Sequence, residues 1–437
     1  MPHPPGKMPS PAALSRSSGG LSTPLSRRTL FKGGAGLAGL AGLSACGAPD
    51  PNAVRYGSRS TEAIPKEAFD NVFAAFKAET GLTVDVNATD PNTYQEQINS
   101  YLQGNPDDVF AWFAGFRARF FEDVGLAAPM THIWDEVGDN FTDAFRTACQ
   151  NEAGQEIVLP FYYYPWAVFY RPSVFEANGY SIPENLSDFE SLCEDMQDTG
   201  LNPIAFGAAD GWPQMGTFDY LNMRINGYDF HIELMAGQQR WDSEEVKAVF
   251  EQWKDLLSYH QEGALGRTWQ EAAQSLQQGE SGMYVLGLFV NQQFAEGEDR
   301  EDLDFFNFPE FNPSIGAGAV EAPIDGFMLR NDPENPDGAD DLLRFLASAQ
   351  AQQIYVDTDP QIAANVETDT SGYDQLQIKS AELVANADNI SQFMDRDTRP
   401  DFAATVAIPE LQRFLANPEA ITDITSSMQA QAESIFG

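Results

Sequence analysis

Basic residues are scarce in this chain of 437 residues: 25 lysines and arginines stand against 65 aspartates and glutamates, for a formal charge of −40 at pH 7. Phosphates are neutralised by clustered Lys and Arg, and no such cluster occurs, which argues against nucleic acid or an anionic lipid surface as partner. Histidine is rarer still. His3, His132, His231 and His260 are too scattered to suggest a metal site. Phosphate-loop (G-x-x-x-x-G-K-[ST]) and zinc (H-E-x-x-H) motifs are both missing. Gly34-Ala35-Gly36-Leu37-Ala38-Gly39 matches the dinucleotide pattern G-x-G-x-x-G but lacks the preceding strand and following helix which that mechanism requires. The apolar run Gly33 to Leu43 is far short of the ~20 residues a membrane-crossing helix needs. With three cysteines the chain has room for at most one disulfide.

What is present begins with an address. Arg27-Arg28 precede the short Gly/Ala/Leu run, and Leu43-Ser44-Ala45-Cys46 follows it. Paired arginines, a brief apolar stretch and a cysteine behind small residues read as an export signal ending in a lipid-attachment site. Similarity to the bacterial lipobox implies that residues 1–45 are removed as a twin-arginine-type lipoprotein signal. Cys46 would then carry acyl chains such as palmitate, and residues 46–53 would form a tether. The expected location is the outer face of the cytoplasmic membrane. Cys149 and Cys193 remain, either bridged or as two buried thiols, alternatives that sequence does not separate.

A folded part of this length usually forms two domains, and 43% hydrophobic and 12% aromatic residues suffice for substantial cores. Val54 to Ser58 reads as a strand. Phe69, Val72, Phe73 and Phe76 mark a helix face that ends at Gly81, and Leu82, Val84 and Val86 alternate as the next strand. Tyr94, Ile98 and Tyr101 mark another helix, and Asp108 to Phe113 suits a buried parallel strand. Strands alternating with helices imply an α/β sheet that binds ligand beyond the carboxyl ends of its strands. The stretch Ile157 to Trp166, broken by Pro160 and Pro165, is the candidate crossing between domains. Beyond it helices dominate, over Ser187 to Asp198, Ser243 to Tyr259 and Thr268 to Gln278. The last third is expected to hold a strand near Leu303–Phe308, an apolar segment at Ile324–Leu329, and helices near Ala339–Ala349, Tyr373–Ala385, Asp401–Leu415 and Ile421–Ile435.

Four stretches taken together carry a family resemblance. Phe76-Lys77-Ala78-Glu79-Thr80-Gly81-Leu82-Thr83-Val84, Asp107-Asp108-Val109-Phe110-Ala111-Trp112, Gly125-Leu126-Ala127-Ala128-Pro129 and Gly279-Glu280-Ser281-Gly282-Met283 resemble, in order and spacing, the extracellular solute-binding proteins (family 1) of carbohydrate ABC importers, the class that includes maltose-binding protein. The resemblance implies a two-lobed periplasmic-binding-protein fold of type II-like topology, with a hinge and an inter-lobe cleft. It would place lobe I at 54–160 plus 303–330 and lobe II at 163–298 plus 338–437. It also implies a carbohydrate ligand, ABC permease subunits as partners, no enzymatic activity, no cofactor and a monomer.

A neutral sugar calls for flat aromatic surfaces against its faces and planar polar groups around its edge. Trp212, in Gly211-Trp212-Pro213 and outside any periodic element, is the first candidate. Trp112 follows, at the end of its strand and where the family places a sugar-stacking tryptophan; a core role is the alternative. Tyr164 and Trp166 lie on the crossing, and Trp269 opens a helix whose face it shares with Ala272, Ala273 and Leu276. Trp253, on a stripe with Val246, Val249, Phe250, Leu256 and Leu257, belongs to a core. Polar candidates are Ser58, Arg59 and Glu62 after the first strand, Asp219 after the Trp212 loop, Asp325 in an irregular Pro/Gly context, and Asp397 and Arg399 in the dense cluster Asp395 to Asp401. An exported glycosidase would use similar residues, with Glu271, Glu321 and Asp325 as candidate acids. A third reading keeps the fold and changes the ligand to a polyamine, a metal chelate or a peptide.

Overall fold

Val54 and Tyr56 of strand β1 (Ala53–Ser58) are wholly buried, and the helix Ala63–Thr80 covers them with Phe69, Val72, Phe73 and Phe76. Gly81 ends that helix in the left-handed conformation (φ 77°), which only glycine adopts without cost. β2 (Thr83–Ala88) then pairs parallel to β1 at the sheet edge. The structure, a computed structural model, describes residues 52–437 with residue 296 excepted; the signal segment and Cys46 lie outside the described residues.

β3 (Val109–Phe113), β4 (Ala127–Ala128), β5 (Leu159–Tyr163), β11 (Ile324–Arg330) and β12 (Ile362–Ala363) complete the first sheet, in the order β12-β5-β11-β3-β1-β2 with β4 beside β11. The intervening strands β6 (Trp166–Tyr170), β7 (Asn202–Ala205), β8 (Ser281–Gly287) and β9 (Asp304–Phe306) form a second sheet, ordered β7-β8-β6-β9. β10 (Ala319–Glu321) and β13 (Asn389–Ser391) pair with each other. Each main sheet has its own hydrophobic core, so the α/β fold is two-lobed. β5 lies in one sheet and β6 in the other, with only Tyr164 and Pro165 between them. The chain recrosses between β10 and β11, and again after β12.

Two stretches sit on the lobe opposite to expectation. β9, within the predicted strand Leu303–Phe308, pairs with β6 and edges the second sheet, so the chain re-enters the first lobe only at β11. The helices Pro336–Leu346 and Ala349–Val356, expected on lobe II, pack on the first core, with Phe345 against Phe76 (ring centroids 5.5 Å apart) and Tyr355 against Phe69 (4.8 Å). An amphipathic stripe shows that a helix must dock, not on which core. Cys149 lies in the first core and Cys193 is buried in the second, both free. The disulfide alternative therefore falls, and burial pushes both thiols up in pKa.

Candidate functional site

A cavity of about 170 Å³ opens between the lobes. Its second-lobe wall is aromatic. Trp166 begins β6, and its ring occupies the space where a side chain at position 216 would begin: a Cβ added to Gly216 would come within 2.3 Å of it. Phe393 stacks on Trp166 with centroids 5.0 Å apart and planes 27° apart, and Trp212 meets Trp166 edge-on at 6.2 Å. Trp269, the first residue of the helix Trp269–Gln277, stands 6.4 Å from Trp212 and edge-on to Phe289 at 5.3 Å. These rings support one another, while Trp212 stays partly exposed to the cavity.

The first-lobe wall is polar. Asp325, second residue of β11, pairs across the sheet with Phe113 and Tyr162, and a register shift against β5 separates it from Gly326. Such a bulge re-aims a side chain. The Asp325 carboxylate, 3% exposed, accepts from Arg59 through Oδ2 and from Arg396 Nη1 at 2.8 Å through Oδ1. Arg396 Nη2 also donates to the Tyr164 hydroxyl at 2.9 Å, and its guanidinium lies 4.0 Å from the centroid of the Phe113 ring. Burial is the largest influence and works against the charge on both arginines, but Asp325 together with neighbouring tyrosine hydroxyls and, for Arg396, Asp395 outweighs it, so both are held above the ordinary arginine range. Burial raises the Tyr164 hydroxyl to about 12, keeping it neutral. Asp395 pairs with the buried Arg117 at 3.0 Å. Asp359, 1% exposed, accepts from Tyr355 Oη at 2.9 Å, Gln361 Nε2 at 3.0 Å and Gln292 Nε2 at 3.2 Å; burial raises its pKa against those bonds.

Of the sequence candidates, Arg59, Glu62, Tyr164, Trp166, Trp212, Trp269 and Asp325 line the cavity. The other five do not. Trp112 is wholly buried in β3, between Tyr94 and Phe121, with the Arg117 guanidinium 4.8 Å from its ring. β3 runs between β1 and β11 with every residue buried, so its end position did not make it a wall residue. Ser58 is buried and its hydroxyl accepts the Ser60 N–H, closing the turn after β1. Asp219 and Asp397 lie beneath the segment that carries Phe393. Asp219 accepts the Met394 N–H at 2.7 Å and Asp397 the Gln392 N–H at 2.8 Å, which holds Phe393 at φ 141°, a strained value for a non-glycine residue. Burial raises the Asp397 carboxyl to about 6 and places Asp219 well above its usual range. Arg399 forms a half-exposed pair with Asp401. As for the catalytic candidates, Glu271 completes a capping box with Thr268, and Glu321 is buried beside Asp219 rather than facing the cavity.

Residues absent from the sequence candidates also form the walls, among them Asn92, Gln95, Phe289, Gln292, Phe393 and Arg396. For Asn92 a signal existed: Asp90-Pro91 opens a helix directly after β2, and Asp90 caps it by accepting the Asn92 and Thr93 N–H groups. Arg396 belongs to the polar cluster already singled out, but a short helical turn, Met394–Asp397, directs it rather than Asp397 to the cavity.

Comparison with known proteins agrees with this architecture. The bacterial solute receptor AcbH, described by its exclusive preference for β-D-galactopyranose, is 40% identical and superposes with a TM-score of 0.86 over 88% of this chain and 99% of its own. A chitin oligosaccharide binding protein shares the fold at 20% identity, with a TM-score of 0.78 over 86% and 98% of the two chains. An ABC transporter extracellular-binding protein of Pyrococcus horikoshii is 23% identical over 340 residues, 75% of this chain and 71% of the relative. Residues 60–353, from just after β1 to within the helix Ala349–Val356 and across both cores, match the family described as bacterial extracellular solute-binding protein, and the chain belongs to it.

Proposed function

We propose that this protein is the receptor of an ABC sugar importer, that it captures a single-ring hexopyranose between its lobes, and that it delivers the sugar to a membrane permease. The observation that carries this reading is the pairing of an aromatic wall with a polar one in a single cavity between the lobes. Ring faces of a pyranose bury C–H surface against Trp166, Trp212 and Trp269, while its hydroxyls meet guanidinium, carboxylate and amide groups. At about 170 Å³ the cavity is smaller than the ~300–1,000 Å³ of sites for drug-sized molecules, which favours one ring over a chain of them. The preference of AcbH for β-D-galactopyranose supports D-galactose as the first compound to try. Arg59 Nη2 is engaged by Asp325, and the five-donor guanidinium has further N–H groups to offer hydroxyl oxygens. Both lobes touch the ligand only when closed, so ligand shifts the population to the closed form.

Export through the twin arginines and anchoring through acylated Cys46 complete the proposal, because a tethered monomer stays at high local concentration beside its permease. Labelled palmitate should enter the wild type and not C46S, which should appear in the medium.

Calorimetric titration with galactose, glucose, maltose, a polyamine and a short peptide tests the ligand reading. Saturable heat with a sugar is the expected result. Binding of the polyamine or peptide alone overturns it, and turnover of an oligosaccharide would make the protein an enzyme instead.

A further inference from the structure

One carboxylate outside the cavity walls joins three elements of the site. Asp210, half-buried, precedes Gly211-Trp212-Pro213 in the second lobe. Its Oδ2 accepts the backbone N–H of Trp269 at 3.0 Å, which ties the Trp212 loop to the helix that Trp269 opens. Its Oδ1 accepts from Asn92 Nδ2 at 3.0 Å, and Asn92 belongs to the helix Pro91–Gln103 of the first lobe. Gly211 keeps the loop close to its own lobe: at φ 80°, an added Cβ there would stand 2.8 Å from Ile408. A weaker strap runs alongside, from Gln270 Nε2 to Glu62 Oε1 at 3.4 Å, again across the lobes. The bond to Trp269 is local to one lobe, whereas the bond to Asn92 exists only when the lobes meet.

We infer that Asp210 and Asn92 form a latch across the cleft, which ties the placement of the two wall tryptophans to lobe closure and sets how long ligand is held. Asp210 is thus a positioning residue. The bond exists only in the closed form, so it governs dissociation far more than association. The inference rests on the ligand-capture reading for its effect on sugar release, but not for its effect on closure.

The pair can be exchanged without losing either bond. In N92D two carboxylates face each other, while the bond to Trp269 survives and an acid in the first helical turn suits the helix dipole. In N92D/D210N the amide introduced at position 210 donates to the carboxylate introduced at position 92, and its carbonyl oxygen still accepts from Trp269. Stopped-flow tryptophan fluorescence with D-galactose gives the two rate constants. Spin labels at E79C and E251C, both exposed positions on opposite lobes, give the closed fraction without ligand. The galactose dissociation rate is expected to rise about tenfold in N92A and further in N92D, and to return to within about threefold of wild type in the exchanged pair, with association nearly constant. The ligand-free closed fraction is expected to fall in N92D and recover in N92D/D210N. The inference is overturned if N92D changes neither quantity, or if the exchanged pair is as impaired as the two single changes combined. Should wild type fail to bind galactose, the choice of galactose falls and the closed fraction still decides the latch. A wild type that neither binds galactose nor populates the closed distance overturns the latch and the choice of galactose together.

Discussion

The two walls of the cavity are built from different chemistry and held by different forces. On the second lobe, Trp166, Trp212, Trp269, Phe289 and Phe393 brace one another through ring contacts 5.0–6.4 Å apart. On the first, Arg59 and Asp325 are fixed by charge, with Arg396 crossing over to complete the group. The aromatic wall rests on apolar area, which is additive and tolerant of shape. The polar wall rests on a buried ion group in which each member compensates another, so it fails as a unit. Neither wall encloses the cavity alone, because its lining comes from both lobes.

The largest break in this comparison should come from Asp325. In D325A two guanidinium groups lie together with no carboxylate, and breaking a buried pair costs about 3–5 kcal/mol; urea denaturation should show that loss, and galactose binding should vanish. Trp112 and Trp212 then separate core from wall. W112A leaves a hole in the first core and should lower stability by about 3–5 kcal/mol. W212A, partly exposed, should change stability little and weaken sugar binding by about 2 kcal/mol. If calorimetry finds the two reversed, the wall assignment is wrong. Y164F removes one bond to Arg396 and should weaken binding by about 1 kcal/mol with the aromatic contacts intact.

The most gradual expected effect, read as a slope rather than at one pH, is a pH dependence set beneath the walls. Burial raises Asp397 from 3.8 to about 6, so the folded protein holds a proton that the unfolded chain releases earlier. Its contribution to stability is complete below pH 3.8 and is lost as pH rises through 6, by at most about 1.4 kcal/mol per pH unit. Denaturation midpoints measured from pH 4 to 7 should therefore fall less steeply for D397N than for wild type.

The aromatic wall was more legible in the sequence than the polar one. Trp212 stood out because no periodic element accounts for it, and Tyr164 and Trp166 because prolines mark the crossing. Arg59 and Glu62 followed from the rule that ligands sit beyond strand ends. The same rule misled at Trp112, because β3 is covered on both faces and its apolar run carries no alternation to tell core from cavity. Within the cluster Asp395 to Asp401, composition announced a site without saying which members face it. Asp397 turned out to hold the backbone at Phe393, and Arg396 reached the cavity.

The sequence by itself determined the strand–helix alternation from β1 to β3, the apolar stripes of the helices it marked and the family resemblance, because these depend on short-range periodicity and on local turn chemistry. Strands β7 and β8 of the second sheet, buried and flanked by helices, went unmarked. Only the tertiary structure decided which core the helices after β11 cover and which charges meet. Arg59 and Asp325 are 266 positions apart, and Asn92 and Asp210 are 118 apart. No spacing in a linear pattern encodes such a pairing: the first arises where β1 and β11 flank β3 in one sheet, and the second where the two lobes bring their loops together.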